Sequence, residues 1–196
     1  GGAIGNNSCG SHSVKWGKTI DHTLELDTVL TNGETHLFKH TDRSMLENYT
    51  TGDSFLSVIY KNILRIGTTN AQEVEKQFPK IMRRVSGYNL DEINPDSDFN
   101  MARFLVGSEG TLLTITEAKM KVVPIPLNKV LAVIHFHELS QALEATVITL
   151  EHGPDAVELV GSMIIEQARA NISYSRMMDF VEGEPEALLL VEMSGA

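Results

Sequence analysis

Four glycines fall within the first ten residues, Gly1-Gly2-Ala3-Ile4-Gly5-Asn6-Asn7-Ser8-Cys9-Gly10, a density that weakens regular helices and strands. Glycine reaches backbone conformations closed to other residues and lets main-chain amides come close to a partner, while Asn6, Asn7, Ser8 and Ser11 add short side chains that hydrogen-bond to oxygens. Composition balances two readings of this stretch evenly, a flexible turn and a ligand-holding loop. The chain opens inside this motif without an initiator Met, so it reads as an excised segment.

With 196 residues, 42% of them hydrophobic, the chain suffices for one large domain or for one domain and part of a second. Its formal net charge is -10 and its basic residues are scattered, which argues against a nucleic-acid partner. No apolar run approaches the roughly 20 residues that cross a bilayer, and the start lacks a basic stretch followed by an apolar block. The single cysteine, Cys9, excludes an internal disulfide and fits a reducing compartment, so the cytoplasm is expected. Sequons at Asn6, Asn48 and Asn171 read as chance matches.

Patterning predicts a strand over Thr23 to Leu30, with Leu24, Leu26 and Leu30 on one side, and a return strand over Thr35 to Phe38. Asn32-Gly33 between them predicts a type I′ hairpin turn. Leu56, Ile59, Tyr60 and Ile63 predict a helix capped by Asp53, and Asn70 with Glu73 starts a second that Pro79 interrupts. Val85 to Asn100, containing Asn94-Pro95, reads as extended segment and loop, followed by a short helix over Phe99 to Val106. Gly107-Ser108-Glu109-Gly110 turns into a β stretch, Thr111 to Val123, whose alternation shifts phase near Glu117 as a bulge would make it do, and Pro124 and Pro126 end it. Beyond them, Val130 to Phe136 reads as a strand, Leu139 to Leu150 as a helix, Ala156 to Val160 as a strand or a helix start, Met163 to Ala170 as a helix and Glu186 to Glu192 as a strand, an alternation of an α/β kind.

Weaker motifs fall to simpler explanations. Gly17-Lys18-Thr19 resembles the tail of a phosphate-binding loop, but His12 stands where the first glycine is needed, and the three spaced glycines of a dinucleotide fingerprint are absent. His135 and His137 share a strand face and His36 and His40 a would-be helical face, yet no carboxylate or cysteine completes a metal set. Cys9 reads as a small residue in a tight loop rather than a nucleophile.

Taken together, the opening glycine motif, Trp16-Gly17 with Asp21-His22, and Gly107-Ser108-Glu109-Gly110-Thr111-Leu112-Leu113-Thr114-Ile115-Thr116 resemble the FAD-linked oxidases of the vanillyl-alcohol-oxidase-like (PCMH-type, FAD-binding type 4) family. Phe78 to Leu90 resembles the segment before the second motif in large bacterial members that fuse this flavoprotein to an iron–sulfur region and act on D-2-hydroxyglutarate or D-lactate. The resemblance implies an α+β fold: the second subdomain of a PCMH-type FAD-binding domain over 1–126, with a helical insertion at about 53–84, then the start of an α/β ferredoxin-like cap domain over 127–196. It implies FAD contacts near the isoalloxazine and ribityl parts at Gly1, Gly2, Ile4, Gly5, Asn7, Ser8, Gly10, Ser11 and Gly17 from the first motif, and toward the adenine-ribose end at Glu109, Gly110 and, through backbone atoms, Ile115 from the second. Cys9 departs from a common glycine and Asn6 from a common threonine, so those two side chains are not carried over.

The implied reaction is oxidation of a D-2-hydroxy acid to the 2-oxo acid with hydride passing to FAD. Electrons would leave to a quinone, an electron-transfer flavoprotein or an iron–sulfur cluster. The implied setting is cytoplasmic, peripheral to the inner face of a membrane, with the missing N- and C-terminal parts of the same chain as partners and a homodimer within range. The resemblance places the pyrophosphate loop before Gly1 and a histidine-rich substrate and metal segment beyond Ala196, so it supplies no catalytic base within the chain. Tyr88 and Asn89 are candidate substrate or flavin contacts, with packing and turn formation the favoured role, and Arg83 and Arg84 are candidates for attracting a carboxylate, with an exposed pair flanking a helix end the favoured reading. Two alternatives stay open: an α/β scaffold without cofactor, and a same-fold FAD oxidase acting on another alcohol.

Overall fold

In a computed structural model that describes residues 1–94 and 99–195, the alternating and glycine-rich stretches resolve into short antiparallel sheets flanked by helices. In chain order these are α1 (Gly2–Gly5), α2 (Ser13–Trp16), α3 (Thr19–His22), β1 (Thr23–Val29), β2 (Thr35–Lys39), α4 (Arg43–Tyr49), α5 (Phe55–Gln77), α6 (Met101–Leu105), β3 (Thr114–Met120), β4 (Asn128–Phe136), α7 (Leu139–Glu151), β5 (Ala156–Gly161), α8 (Ser162–Ala170), α9 (Ile172–Ser175) and β6 (Ala187–Gly195), with a 3₁₀ turn at Leu90–Ile93. The class is α+β, as expected. Pro95, of the expected Asn94-Pro95 loop, lies outside the described residues. Two compact units form, Gly1–Cys9 with Gly17–Val122 and Gly10–Trp16 with Val123–Ala196.

In the first unit β1 is the centre of the order β2-β1-β3, both neighbours antiparallel. Leu26 faces Phe38 across one ladder, and both are buried with Ile93, Phe99, Met101, Leu105 and Val106. Leu24, expected on the same face as Leu26, is 43% exposed. The β1–β3 register slips between Thr23 and Glu25, and that bulge turns Leu24 outward. The second slip pairs Asp27 with Glu117 and Thr28 with Ile115, leaving Thr116 as the extra residue, where the phase shift near Glu117 was expected.

The hairpin turn is not type I′. Of Asn32 and Gly33 only Gly33 is left-handed, at φ 86°. The Leu30 N–H donates to the Glu34 carbonyl at 2.8 Å and Gly33 N–H to the Leu30 carbonyl at 2.9 Å, the pattern of a three-residue loop closed by a glycine bulge.

The two helices expected between Asp53 and Pro79 are one, the 23-residue α5. Ser54 rather than Asp53 caps it, its hydroxyl accepting from Ser57 N–H. Asn70 does not start a new helix because its Nδ2 donates back to the Ile66 carbonyl at 2.8 Å. Pro79 ends the run by holding Phe78 extended. The expected helix at 99–106 is Met101–Leu105, capped by Asn100, whose Oδ1 accepts from Ala102 and Arg103 N–H. His36 and His40 share no helical face: His36 lies in β2, and His40 bridges Asn100.

The second unit carries the order β4-β6-β5, with β6 antiparallel to both neighbours. β4 and β5 are therefore parallel, joined through α7 as a crossover needs. Ile165, Val181 and Leu188 form its small core. The segment Gly10–Trp16 joins this unit by polar anchors. Lys15 pairs with Asp155, whose side chain is 4% exposed, and reaches Ser194 Oγ at 3.1 Å. His12 Nε2 lies 2.9 Å from Glu192 Oε1, which Lys129 also meets at 2.9 Å. Among the described residues no helix is long and apolar enough to cross a membrane.

Packing and charge can each be tested. A Cβ at Gly67 would fall 2.0 Å from the Ile93 carbonyl oxygen, where α5 and the 3₁₀ turn touch backbone to backbone. Alanine normally gains about 1 kcal/mol over glycine inside a helix. Gly67→Ala should instead lose about 1–3 kcal/mol by overpacking, measured as a lower denaturant midpoint, and a rise in midpoint would refute the close contact. In the second unit, hydrogen bonds from Lys15 and Ser194 hold the Asp155 carboxyl below its usual range. A lowered carboxyl contributes stability that is present above its unfolded pKa and lost as pH falls through the folded one. Emission of Trp16, the sole tryptophan, should therefore shift on acidification below the ordinary carboxylate range, and Lys15→Met should move that transition to higher pH. An unmoved transition would remove Lys15–Asp155 as the anchor.

Candidate functional site

The opening motif folds as one tight turn. Gly5 N–H donates to the Gly1 carbonyl and Asn6 N–H to that of Gly2, both at 3.0 Å. Asn7 follows in the left-handed region at φ 50°, with no exposed surface, and its Oδ1 accepts from Ile20 N–H at 3.0 Å. The Ser8 carbonyl accepts from Thr19 twice, from N–H at 3.0 Å and from the hydroxyl at 2.9 Å. The loop is thus pinned to α3 at its far end and open at Gly1–Gly2, where an added Cβ would meet nothing within 4 Å.

The second motif leaves α6 through a run of left-handed residues: Gly107 at φ 82°, Glu109 at 53° and Gly110 at 72°. These turn successive amides to different sides, so that two cross to the first motif. Gly107 N–H donates to the Ile4 carbonyl at 2.9 Å and Glu109 N–H to the Gly5 carbonyl at 3.0 Å. A Cβ at Gly107 would come 3.3 Å from Asn7 Cβ and 3.8 Å from the Gly87 carbonyl oxygen. Upstream, Arg103 fixes the helix by donating to both Glu92 carboxylate oxygens at 2.7 and 2.8 Å and to the Ile20 carbonyl at 3.3 Å.

Where the motifs meet lies a cleft of about 230 Å³, lined by Gly1, Gly5, Ser108, Gly110, Leu113, Thr114 and Ile115. Its glycines leave room: a Cβ at Gly110 would meet nothing within 4 Å, and one at Gly5 only Glu109 Cα at 4.0 Å. Charged side chains do not line it. It presents main-chain atoms, two hydroxyls and two aliphatic side chains, a surface for a neutral ring or sugar edge rather than for proton transfer.

Of the residues expected at a cofactor, Gly1, Gly5, Gly110 and Ile115 share this cleft. Gly2 and Glu109 are exposed beside its lining residues. Ile4 packs on the core and gives its carbonyl to Gly107. Asn7 is a buried clamp, and the Ser8 hydroxyl donates to Asn6 Oδ1 at 2.6 Å. Gly17 has a local reason to be glycine: at φ 83° its Cβ would sit 2.6 Å from Asp21 Oδ2, which accepts from Lys18 N–H. Gly10 and Ser11 belong to the second unit. Ser108, Leu113 and Thr114 were not singled out; the register of β3 with Ile115 was the signal that could have found Leu113 by alternation.

Other candidates resolve into structure. Lys18 Nζ donates to the Arg84 carbonyl at 3.3 Å. Arg84 pairs with Asp91 at 2.6 Å and lies over the Phe78 ring. His135 Nε2 accepts from Glu182 N–H, and His36 packs edge-on against Phe38, Tyr49 and Tyr60, with burial holding its pKa below the usual value. Among the described residues no group of His, Cys, Asp and Glu could hold a metal ion.

Crowding and backbone strain separate at two glycines. Gly33→Ala, in open space at φ 86°, should cost about 1–2 kcal/mol from left-handed strain alone. Gly107→Ala adds the contact with Asn7 and should cost more in denaturant melts. Equal losses would show that the motifs do not press together there.

No family model matches the chain. It is 32% identical over 200 aligned positions to the D-2-hydroxyglutarate dehydrogenase of Pseudomonas putida, a match that covers 100% of this chain and 20% of that protein. It is 25% identical over 199 positions to the glycolate oxidase subunit GlcD of Bacillus subtilis, covering 100% of the chain and 30% of that protein. Among solved structures, alkyldihydroxyacetonephosphate synthase superposes on 100% of the chain and 28% of its own with a TM-score of 0.54 at 16% identity, a likeness of fold. The chain is, over its whole length, a homologue of a stretch that makes up about 20% of a D-2-hydroxyglutarate dehydrogenase.

Proposed function

We propose that the cleft between the two glycine motifs holds part of the FAD of a dehydrogenase that oxidises D-2-hydroxy acids, of the D-2-hydroxyglutarate or D-lactate class, to 2-oxo acids. The observation that carries this reading is the convergence of Gly1 and Gly5 with Ser108, Gly110 and Ile115 on one cavity: the resemblance implies FAD for both motifs, at its flavin and its adenine-ribose ends, and their meeting in one cleft supports a shared ligand while favouring a single stretch of it. The lining suits it. Glycines let a ligand approach the backbone, no carboxylate among them repels a phosphate-bearing group, and about 230 Å³ takes one ring-sized part of a dinucleotide, below the 300–1,000 Å³ usual for a complete ligand site.

When bound, FAD would accept the C2 hydride of the hydroxy acid. The chain's own residues would bind and orient. The Ile4 and Gly5 carbonyls fix the second turn, and Ser108 and Thr114 offer hydroxyls to sugar oxygens. Arg83 and Arg84 both line a separate hollow of about 240 Å³ with Phe78, Pro79, Ile81 and Ser86; Arg84 is paired with Asp91 there, so Arg83 is the one we assign to attracting an anionic substrate. Because the chain spans 20% of its dehydrogenase relative, catalysis is proposed for a protein that joins this chain to the other parts such a relative has. A quinone, an electron-transfer flavoprotein or an iron–sulfur region would take the electrons, in a reducing cytoplasmic setting that a single cysteine suits.

In such a protein, D-2-hydroxyglutarate or D-lactate should bleach the visible flavin band. Gly110→Val, which fills the cleft from a left-handed position, should weaken flavin binding by about ten-fold or more, or roughly 1.4 kcal/mol, in fluorescence titration. A flavin band that no D-2-hydroxy acid bleaches would overturn the substrate class, and a Gly110→Val protein with unchanged flavin affinity would overturn the cleft.

A further inference from the structure

Tyr88 and Asn89 are neighbours in the chain, yet they reach opposite ends of the turn Gly107–Gly110. Asn89 is 1% exposed, and its Nδ2 donates to the Val106 carbonyl at 2.6 Å and to that of Arg103 at 3.4 Å, which fixes the residue before the turn. Tyr88 Oη lies 2.7 Å from Thr111 Oγ1, the residue after it. The Thr111 hydroxyl gives its one proton to the Ser108 carbonyl, so the phenol must be the donor to Thr111. The result is a relay, Tyr88 O–H to Thr111 Oγ1 and Thr111 O–H to Ser108 C=O, that ends on a residue lining the cleft.

The two clamps are themselves held. The Arg84–Asp91 pair closes the loop around them, Glu92 N–H donates to the Asn89 carbonyl at 3.0 Å, and Glu92 is gripped by Arg103. The Tyr88 ring also packs beside Phe104, with centroids 6.2 Å apart. Such support answers a local need. Glu109 sits at φ 53°, a conformation a residue with a Cβ keeps only where its surroundings over-determine it.

We infer that Tyr88 and Asn89 are positioning residues that hold the second glycine turn in its ligand-ready shape, an inference that rests on the cleft being the cofactor site. They would act on the ligand through the turn and not by touching it.

Tyr88→Phe tests this with little risk to folding, because Tyr88 is 41% exposed and the variant keeps the ring. Amide hydrogen exchange in the 196-residue protein should quicken about five-fold at Glu109 and Thr111, the effect of one lost hydrogen bond, with Leu26 in β1 unchanged. Adding Tyr88→Phe to Thr111→Val should change nothing further. Flavin titration is the second readout, with an expected loss of affinity of similar size at an unchanged melting temperature. Unchanged exchange at Glu109 and Thr111, or a uniform rise across the first unit, would overturn the relay. The relay also fails if Tyr88→Leu perturbs the turn while Tyr88→Phe does not, since packing on Phe104 would then suffice. Altered exchange with unaltered flavin affinity would overturn the link to the ligand. Should the parent protein bind no flavin at all, the proposed function fails, and exchange still judges the clamp.

Discussion

Two main-chain hydrogen bonds, Gly107 N–H to the Ile4 carbonyl and Glu109 N–H to the Gly5 carbonyl, create the cleft, and much of the first unit serves to make them. They join segments remote in sequence, so the loop-closure entropy they cost must be met elsewhere. It is met by burial: Leu26, Phe38, Ile93, Met101 and Leu105 pack β1, β2, the 3₁₀ turn and α6 into one core, and α6 delivers the second motif. Close approach then dictates glycine at position 107, because Asn7 already fills the space a side chain would need.

The polar residues of these motifs are mostly spent on structure. Asn7, Asn89 and Asn100 each use a side-chain amide on a backbone group, at the end of the first loop, before the second turn and at the start of α6. A buried amide that satisfies main-chain groups contributes more by preventing an unpaired N–H or C=O than by its own net strength. What faces the cleft is accordingly backbone, with the Ser108 and Thr114 hydroxyls. That division explains how a motif rich in Asn and Ser can line a cleft chiefly with glycine backbone.

Local features were legible in the sequence and long-range ones were not. Apolar patterning located β1, β2, β4 and β6 and left β5 open between strand and helix start, and the phase shift near Glu117 gave the bulge, because these signals lie within a single strand. Leu24 misled for the same reason: its exposure depends on a register slip against β3 that the strand's own pattern does not carry. Asn70 read as a helix start since its back-bond to Ile66 forms only once the helix exists. Gly10 and Ser11 read as part of the loop before them, whereas Lys15 finds its partner Asp155 140 residues away and draws that segment to the second unit. Tyr88 and Asn89 offered two readings, ligand contact and the favoured one of packing and turn formation, and their partners Thr111 and Val106, which flank the second motif, agree with the latter.

The chemistry of the cleft bounds what this chain contributes to a reaction. Acid–base catalysis needs a titratable group within hydrogen-bond reach of the reacting atoms, and the lining residues offer none. Binding and orientation need rigid, well-placed groups, which the left-handed turn, its cross-links to the first motif and the Arg103–Glu92 pair provide. Rigidity of this kind lowers the ordering cost of binding a large cofactor, since the wall is formed before the ligand arrives. Under the proposed reading this cleft orients one edge of a cofactor without titrating, and the group that moves the proton lies outside its lining.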